Sequence, residues 1–222
     1  MPEESNAVVL EPPQAATSAV IWLHGLGADG HDFEPVASQL PAPLTNTTRF
    51  VFPHAPHQPV TINTGMIMRA WYDIRDAEFP GQADEAGIRL SEATLRGYIK
   101  REVEKGIPEE RIVLAGFSQG GVIALRTGLL YPAQLAGIMA LSTYLPMADQ
   151  TRAERSPANV KTSVFFAHGA LDPLIPIEVA EEGCDFLREL GYPVEWHRYQ
   201  MDHSVCAEEL ADISEWLSGV LA

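Results

Sequence analysis

Arg111-Ile112-Val113-Leu114-Ala115-Gly116-Phe117-Ser118-Gln119-Gly120-Gly121 runs from an unbroken apolar segment through a glycine-flanked serine into a helical pattern. Residues 111–115 read as a strand covered on both faces, and 120–130 repeat apolar residues at helical spacing. A serine on so sharp a strand-to-helix turn is forced toward an unfavourable backbone conformation. Gly116 and Gly120 keep the neighbouring turns free of Cβ clashes. The hydroxyl is thereby lifted out of the sheet, beside the positive end of the following helix. That setting suits a nucleophile whose attack on an acyl carbonyl develops a negative oxygen. A glycine-rich turn of the dinucleotide-binding kind shares the strand-turn-helix context, but its Gly-x-Gly-x-x-Gly spacing is missing.

Outward from this turn, short β-rich apolar runs alternate with longer runs of 3.6-residue period. The alternation predicts an α/β fold with a mainly parallel central sheet and helices on both faces. Central strands are expected at 19–23, 49–52, 111–115, 137–142, 163–167 and 195–199, and helices at 32–39, 84–105, 120–130, 177–190 and 206–220. Residues 6–11 can add an antiparallel edge strand before Pro12-Pro13 ends it. The stretch 53–81, with Pro53, Pro56, Pro59, Gly65 and Pro80, reads as a long irregular connection, and long ordered loops are usually functional. A second loose segment, 143–162, is the other candidate for a pocket wall. With 222 residues, 46% of them hydrophobic, the chain is expected to form one domain over residues 1–222.

The formal net charge of −15, with no run of Lys or Arg to relieve it, argues against nucleic acid and anionic lipid headgroups as partners. Residues 1–6 are polar and acidic, unlike a secretory signal, and no apolar run approaches the roughly 20 residues that span a bilayer. A cytoplasmic protein without stable membrane insertion is expected. Cys184 and Cys206 are not in a Cys-x-x-Cys pair and read as free thiols. The seven histidines show no ligand spacing, so no metal is expected.

A serine hydroxyl needs a base and a group to orient that base. Asp172, in His168-Gly169-Ala170-Leu171-Asp172-Pro173, follows a predicted strand, where a turn can point its carboxylate over the sheet's carboxyl edge. His203, in Met201-Asp202-His203-Ser204, lies between the last predicted strand and the last helix. The order Ser118, Asp172, His203 is that of an α/β-hydrolase. Trp22-Leu23-His24-Gly25-Leu26-Gly27 supplies a second backbone donor, so the N–H groups of Leu26 and Gln119 are the expected oxyanion hole. His24, beside a glycine turn, is expected to lock that loop by hydrogen bonding rather than to act in catalysis.

These residues resemble the small carboxylesterases and acyl-protein thioesterases of the α/β-hydrolase superfamily, especially their bacterial branch. The resemblance is carried by residues 22–27, Phe52-Pro53-His54-Ala55-Pro56, Gly65 through Met68-Arg69-Ala70-Trp71-Tyr72-Asp73, residues 116–121 and 168–176, and the His203 loop. It implies the triad Ser118, Asp172 and His203, oxyanion donors at Leu26 and Gln119, no cofactor, and a shallow apolar groove without a large lid. Trp71, Met66 and Met68 are candidates for its wall, with a place in the core as the alternative. One departure is Asp202, where the family commonly has Gly. A carboxylate there, if it faced inward, would favour the charged form of the neighbouring base.

The sequence thus predicts a serine hydrolase of carboxylic esters, of short- to medium-chain acyl preference, acting through an acyl-enzyme on a small-molecule ester or thioester. Acyl-protein thioesterase (depalmitoylase) activity is the alternative within this chemistry. A noncatalytic α/β-hydrolase-like ligand-binding protein is the alternative outside it, and the three filled triad positions argue against it. A homodimer is compatible with this reading.

Overall fold

A computed structural model describes residues 6–75 and 83–222. Its strands are β1 (Ala7–Leu10), β2 (Ser18–Leu23), β3 (Thr48–Pro53), β4 (His57–Val60), β5 (Met66–Arg69), β6 (Ile112–Phe117), β7 (Gly137–Leu141), β8 (Ser163–Gly169) and β9 (Val194–Tyr199). Its helices are α1 (Glu34–Ala37), α2 (Ala42–Thr45), α3 (Glu85–Glu104), α4 (Gln119–Leu130), α5 (Ala148–Glu154), α6 (Ile177–Glu189) and α7 (Ala207–Val220). The main sheet has the order β1-β3-β2-β6-β7-β8-β9. Only the β1–β3 pairing is antiparallel within it, as expected of an edge strand.

Strand periodicity divides the side chains of this sheet between two apolar layers. Ala19, Ile21 and Leu23 of β2 face Ile88, Leu95 and Ile99 of α3 and Val122 and Ile123 of α4. Val20 and Trp22 face the other way, into a cluster closed by Ile213, Trp216 and Leu217 of α7. Because helices cover both faces, β2 is buried at every position and needs no polar alternation.

From β2 the sheet grows outward to β3 and β1, and β6 then joins the opposite side of β2. The carboxyl ends of β2 and β6 therefore meet where the winding reverses, the place where ligands bind in open α/β sheets. Leu26 follows β2 and Ser118 follows β6, so the topology alone brings them together.

Three expectations are corrected. The stretch 53–81 is not wholly irregular, since β4 and β5 form an antiparallel hairpin with His57 opposite Arg69 and Val60 opposite Met66. Its strands are only four residues long, and Pro59 is tolerated because the hairpin stands apart as a two-stranded sheet. The helix expected at 32–39 shortens to α1, and the segment 143–162 contains α5. Residues 76–82, including Pro80 and Gly81, and the acidic start 1–5 lie outside the described residues.

Candidate active site

Ser118 has φ 53° and ψ −119°, a conformation an L residue adopts at a cost of about 1–3 kcal/mol. The surrounding bonds hold it there. Its N–H donates to Leu141 O at 2.8 Å, and its carbonyl accepts from Gly121 N at 2.9 Å and from Thr143 Oγ1 at 2.7 Å. A Cβ on Gly116 would overlap the Gly120 backbone, and one on Gly120 would lie 2.5 Å from His24 O. Both glycines are thus fixed by the close passage of chain past chain.

Asp172 and His203 come from the ends of β8 and β9, which are neighbours in the sheet. Their loops are stitched together by Ala170 N–H to Tyr199 O at 2.7 Å and Leu171 N–H to Met201 O at 3.0 Å. His203 Nδ1 lies 2.6 Å from Asp172 Oδ2, and the Asp172 side chain is wholly buried. Burial by itself would raise that carboxyl. Hydrogen bonds from His203 and from the N–H groups of Ile175 and Leu174 outweigh it, and the carboxyl is held below its ordinary range. A charged carboxylate on Nδ1 keeps the proton there and leaves Nε2 of a neutral imidazole as the basic nitrogen. Phe117 packs against the ring, centroid to centroid 4.8 Å. Asp202 is exposed, and its carboxylate accepts from Ser204 Oγ at 2.6 Å rather than turning toward the histidine.

His24 is buried and does not reach the chemistry. Its Nδ1 donates to Gly25 O at 2.7 Å while Nε2 accepts from Ala55 N at 3.0 Å, a pattern that fits one neutral tautomer. Burial, the dominant influence, pushes this imidazole down to about 4. The neutral ring therefore pins the Gly25-Leu26-Gly27 turn to the strand end at Ala55.

Ser118, His203, Leu26 and Gln119 line one cavity of about 480 Å³. Its remaining wall is largely apolar: Ile62, Tyr72, Ile74, Phe117, Tyr144, Leu174 and Ile175. Burial and the neighbouring Tyr144 hydroxyl raise the Tyr72 hydroxyl well above its usual range, so it stays neutral. Three residues expected on this wall are not among those that line the cavity directly. Met66 is 62% exposed on the outer hairpin, Met68 accepts a contact from Asn63 Nδ2 at 3.3 Å, and Trp71 is 2% exposed in the core beneath the groove. The wall residues Ile62, Tyr72, Tyr144 and Leu174 were not singled out by the sequence. The two segments that supply the first three of them were, as irregular stretches.

Residues 4–221 match the family described as Phospholipase/Carboxylesterase. Acyl-protein thioesterase 1 of Yarrowia lipolytica is 40% identical over 216 residues, 95% of each chain. Among solved structures, Arabidopsis thaliana SOBER1 superposes with a TM-score of 0.88 at 30% identity, over 92% of this chain and 99% of that one. Zea mays acyl-protein thioesterase 2 superposes with a TM-score of 0.87 at 25% identity, over 99% of this chain and 100% of that one. These relatives are fungal and plant proteins rather than members of the bacterial branch. That similarity runs over nearly the whole chain, and the chain belongs to the phospholipase/carboxylesterase family of α/β-hydrolases and is a carboxylic ester hydrolase.

Proposed function

We propose that Ser118, His203 and Asp172 carry out the hydrolysis in two steps, with the N–H groups of Leu26 and Gln119 as the oxyanion hole. His203 Nε2 takes the Ser118 proton as Oγ attacks the acyl carbon. The carbonyl oxygen becomes negative between the two donors, and the alcohol leaves with the proton from His203. Water then attacks the acyl–Ser118 ester by the same route and releases the acid. The observation that carries this reading is the 2.6 Å His203–Asp172 contact at a cavity whose wall also holds Ser118, Leu26 and Gln119.

Short- to medium-chain acyl esters are the substrates we propose, on the ground that the acyl site is a groove of about 480 Å³. The acyl-protein thioesterases among the relatives support the second reading, a thioester whose acyl carbon meets the same nucleophile. Two free cysteines support a reducing, cytoplasmic setting, and one continuous main sheet from β1 to β9 supports a single domain over 1–222. No described helix is long and apolar enough to cross a membrane.

A fluorophosphonate probe should label the folded protein once, and Ser118→Ala should abolish labelling while leaving the fold intact. Labelling that persists in the variant would remove Ser118 as nucleophile. Across aryl esters from acetate to palmitate, kcat/KM should peak at short to medium chains. A peak at palmitate, or faster turnover of a palmitoyl thioester, would transfer the assignment to the second reading.

A further inference from the structure

Trp71 contacts both halves of the proposed oxyanion hole without touching the cavity. Its backbone N–H donates to Gln119 Oε1 at 2.8 Å, and Gln119 Nε2 donates to Tyr72 O at 2.6 Å, so the Gln119 side chain is clasped at both ends. Its indole N–H donates to His24 O at 2.9 Å. One residue earlier than Ala70, Arg69 accepts the Gly27 N–H at 2.9 Å, so the Leu26 turn is held on both sides by the same short segment. The segment itself is anchored from α3, where Ser91 Oγ donates to Trp71 O.

From this arrangement we infer that Trp71 is a positioning residue that sets the separation of the Leu26 and Gln119 donors. The inference rests on the assignment of those two N–H groups as the oxyanion hole. The loops after β2 and β6 are each held by contacts of their own, at His24 and Ala55 for the first and at Leu141 and Thr143 for the second, and residues 69–72 hydrogen-bond to both. Residues 69–72 bridge them with four hydrogen bonds that include both partners of one side-chain amide. An oxyanion hole works only if its donors are placed for the tetrahedral oxygen before it forms. A strut that fixes their spacing therefore acts on the transition state and leaves ground-state binding nearly untouched.

Trp71→Phe keeps an aromatic ring in the core and removes the indole donor. Against a butyrate aryl ester, kcat should fall about tenfold while KM stays within about twofold, with the shape of the pH–rate profile preserved. An alkylthio trifluoromethyl ketone, which adds to the serine hydroxyl to give a tetrahedral oxyanion, should lose the same factor in affinity. Ser91→Ala, which frees the Trp71 carbonyl, should produce a smaller loss in both quantities and decides the matter alone if Trp71→Phe does not fold. A lower melting temperature with kcat and ketone affinity unchanged would make Trp71 a core residue only and overturn the inference. A fall in kcat without loss of ketone affinity would also overturn it, because the effect would then arise elsewhere. If the wild-type protein forms no ketone adduct at Ser118, the assignment of the site itself fails and this inference goes with it.

Discussion

Glu209, in the first turn of α7, is wholly buried, and neither of its carboxylate oxygens makes a hydrogen bond of good geometry to a described residue. Burial pushes its carboxyl up to about 8; the Cys206 N–H pulls the other way, and Asp212 adds to the rise. The ordinary value is 4.5, so the folded protein holds this proton where the unfolded chain has released it. For a raised carboxyl, the contribution to stability is fully present below the unfolded value and is lost as pH rises toward the folded one. Glu209→Gln keeps the shape without the ionisation. It should raise the melting temperature clearly at about pH 8, by about 2–4 °C for each kcal/mol recovered, and little at about pH 5. An equal gain at both pH values would show that ionisation is not the cause. At this scale the sequence is legible where chemistry and position coincide: Ser118, Asp172 and His203 are distinctive residue types, each just past a strand and in a telling order. Trp71 is not legible in the positioning role we infer for it. Its link to Gln119 spans 48 residues and runs through a backbone N–H, which leaves no mark on the local sequence. Nor do Ile62 and Leu174, whose letters are the same in a groove as in a core.

Among the elements, α4 shows what patterning reveals and what it hides. It is buried on every side between α3 and the sheet, so its apolar spacing reads as helix but does not show that Arg126 and Thr127 are buried too. Arg126 within it is 0% exposed and pairs with Glu92 of α3 at 2.7 Å, with Thr151 Oγ1 of α5 at 2.5 Å and with Met147 O at 3.5 Å. A buried ion pair adds little over a well-packed apolar pair, whereas stranding one member costs about 3–5 kcal/mol. Glu92→Leu alone should therefore lower the unfolding free energy in urea by about that amount. The double variant Glu92→Leu with Arg126→Met should recover most of the loss, because no charge is then buried. A double variant as unstable as the single would assign the effect to packing. The long strands and helices were legible because each repeats its period several times. The β4–β5 hairpin was not, since four-residue strands containing a proline offer no period, and its contact with the Leu26 turn, Gly27 N–H to Arg69 O, is between residues far apart in the sequence. Helices α1 and α2 are single turns led by a proline near their start, too short for a periodic signal.

Over the whole molecule, the net charge of −15 surrounds the cavity with a field that a neutral ester ignores and a charged one does not. Among the described residues lining the cavity, Asp32 is the carboxylate and no Lys or Arg is present. Asp29 stands near enough to act on it. Two effects then reinforce each other: the global field raises the local concentration of cations, and Asp32 meets them at the rim. For two aryl esters with the same acyl group, one carrying a trimethylammonium and the other a sulfonate on the leaving phenol, kcat/KM should favour the cation by about tenfold at low ionic strength. The preference should shrink as salt is raised past about 0.15 M, where the screening length is about 8 Å and distant carboxylates no longer reach the groove. Asp32→Asn should remove part of the low-salt preference, and what survives should keep the same salt dependence, since it comes from charges spread over the surface. A preference that does not respond to salt would place its origin in the fit of the phenol against the apolar wall. In that case neither Asp32 nor the net charge would select the leaving group.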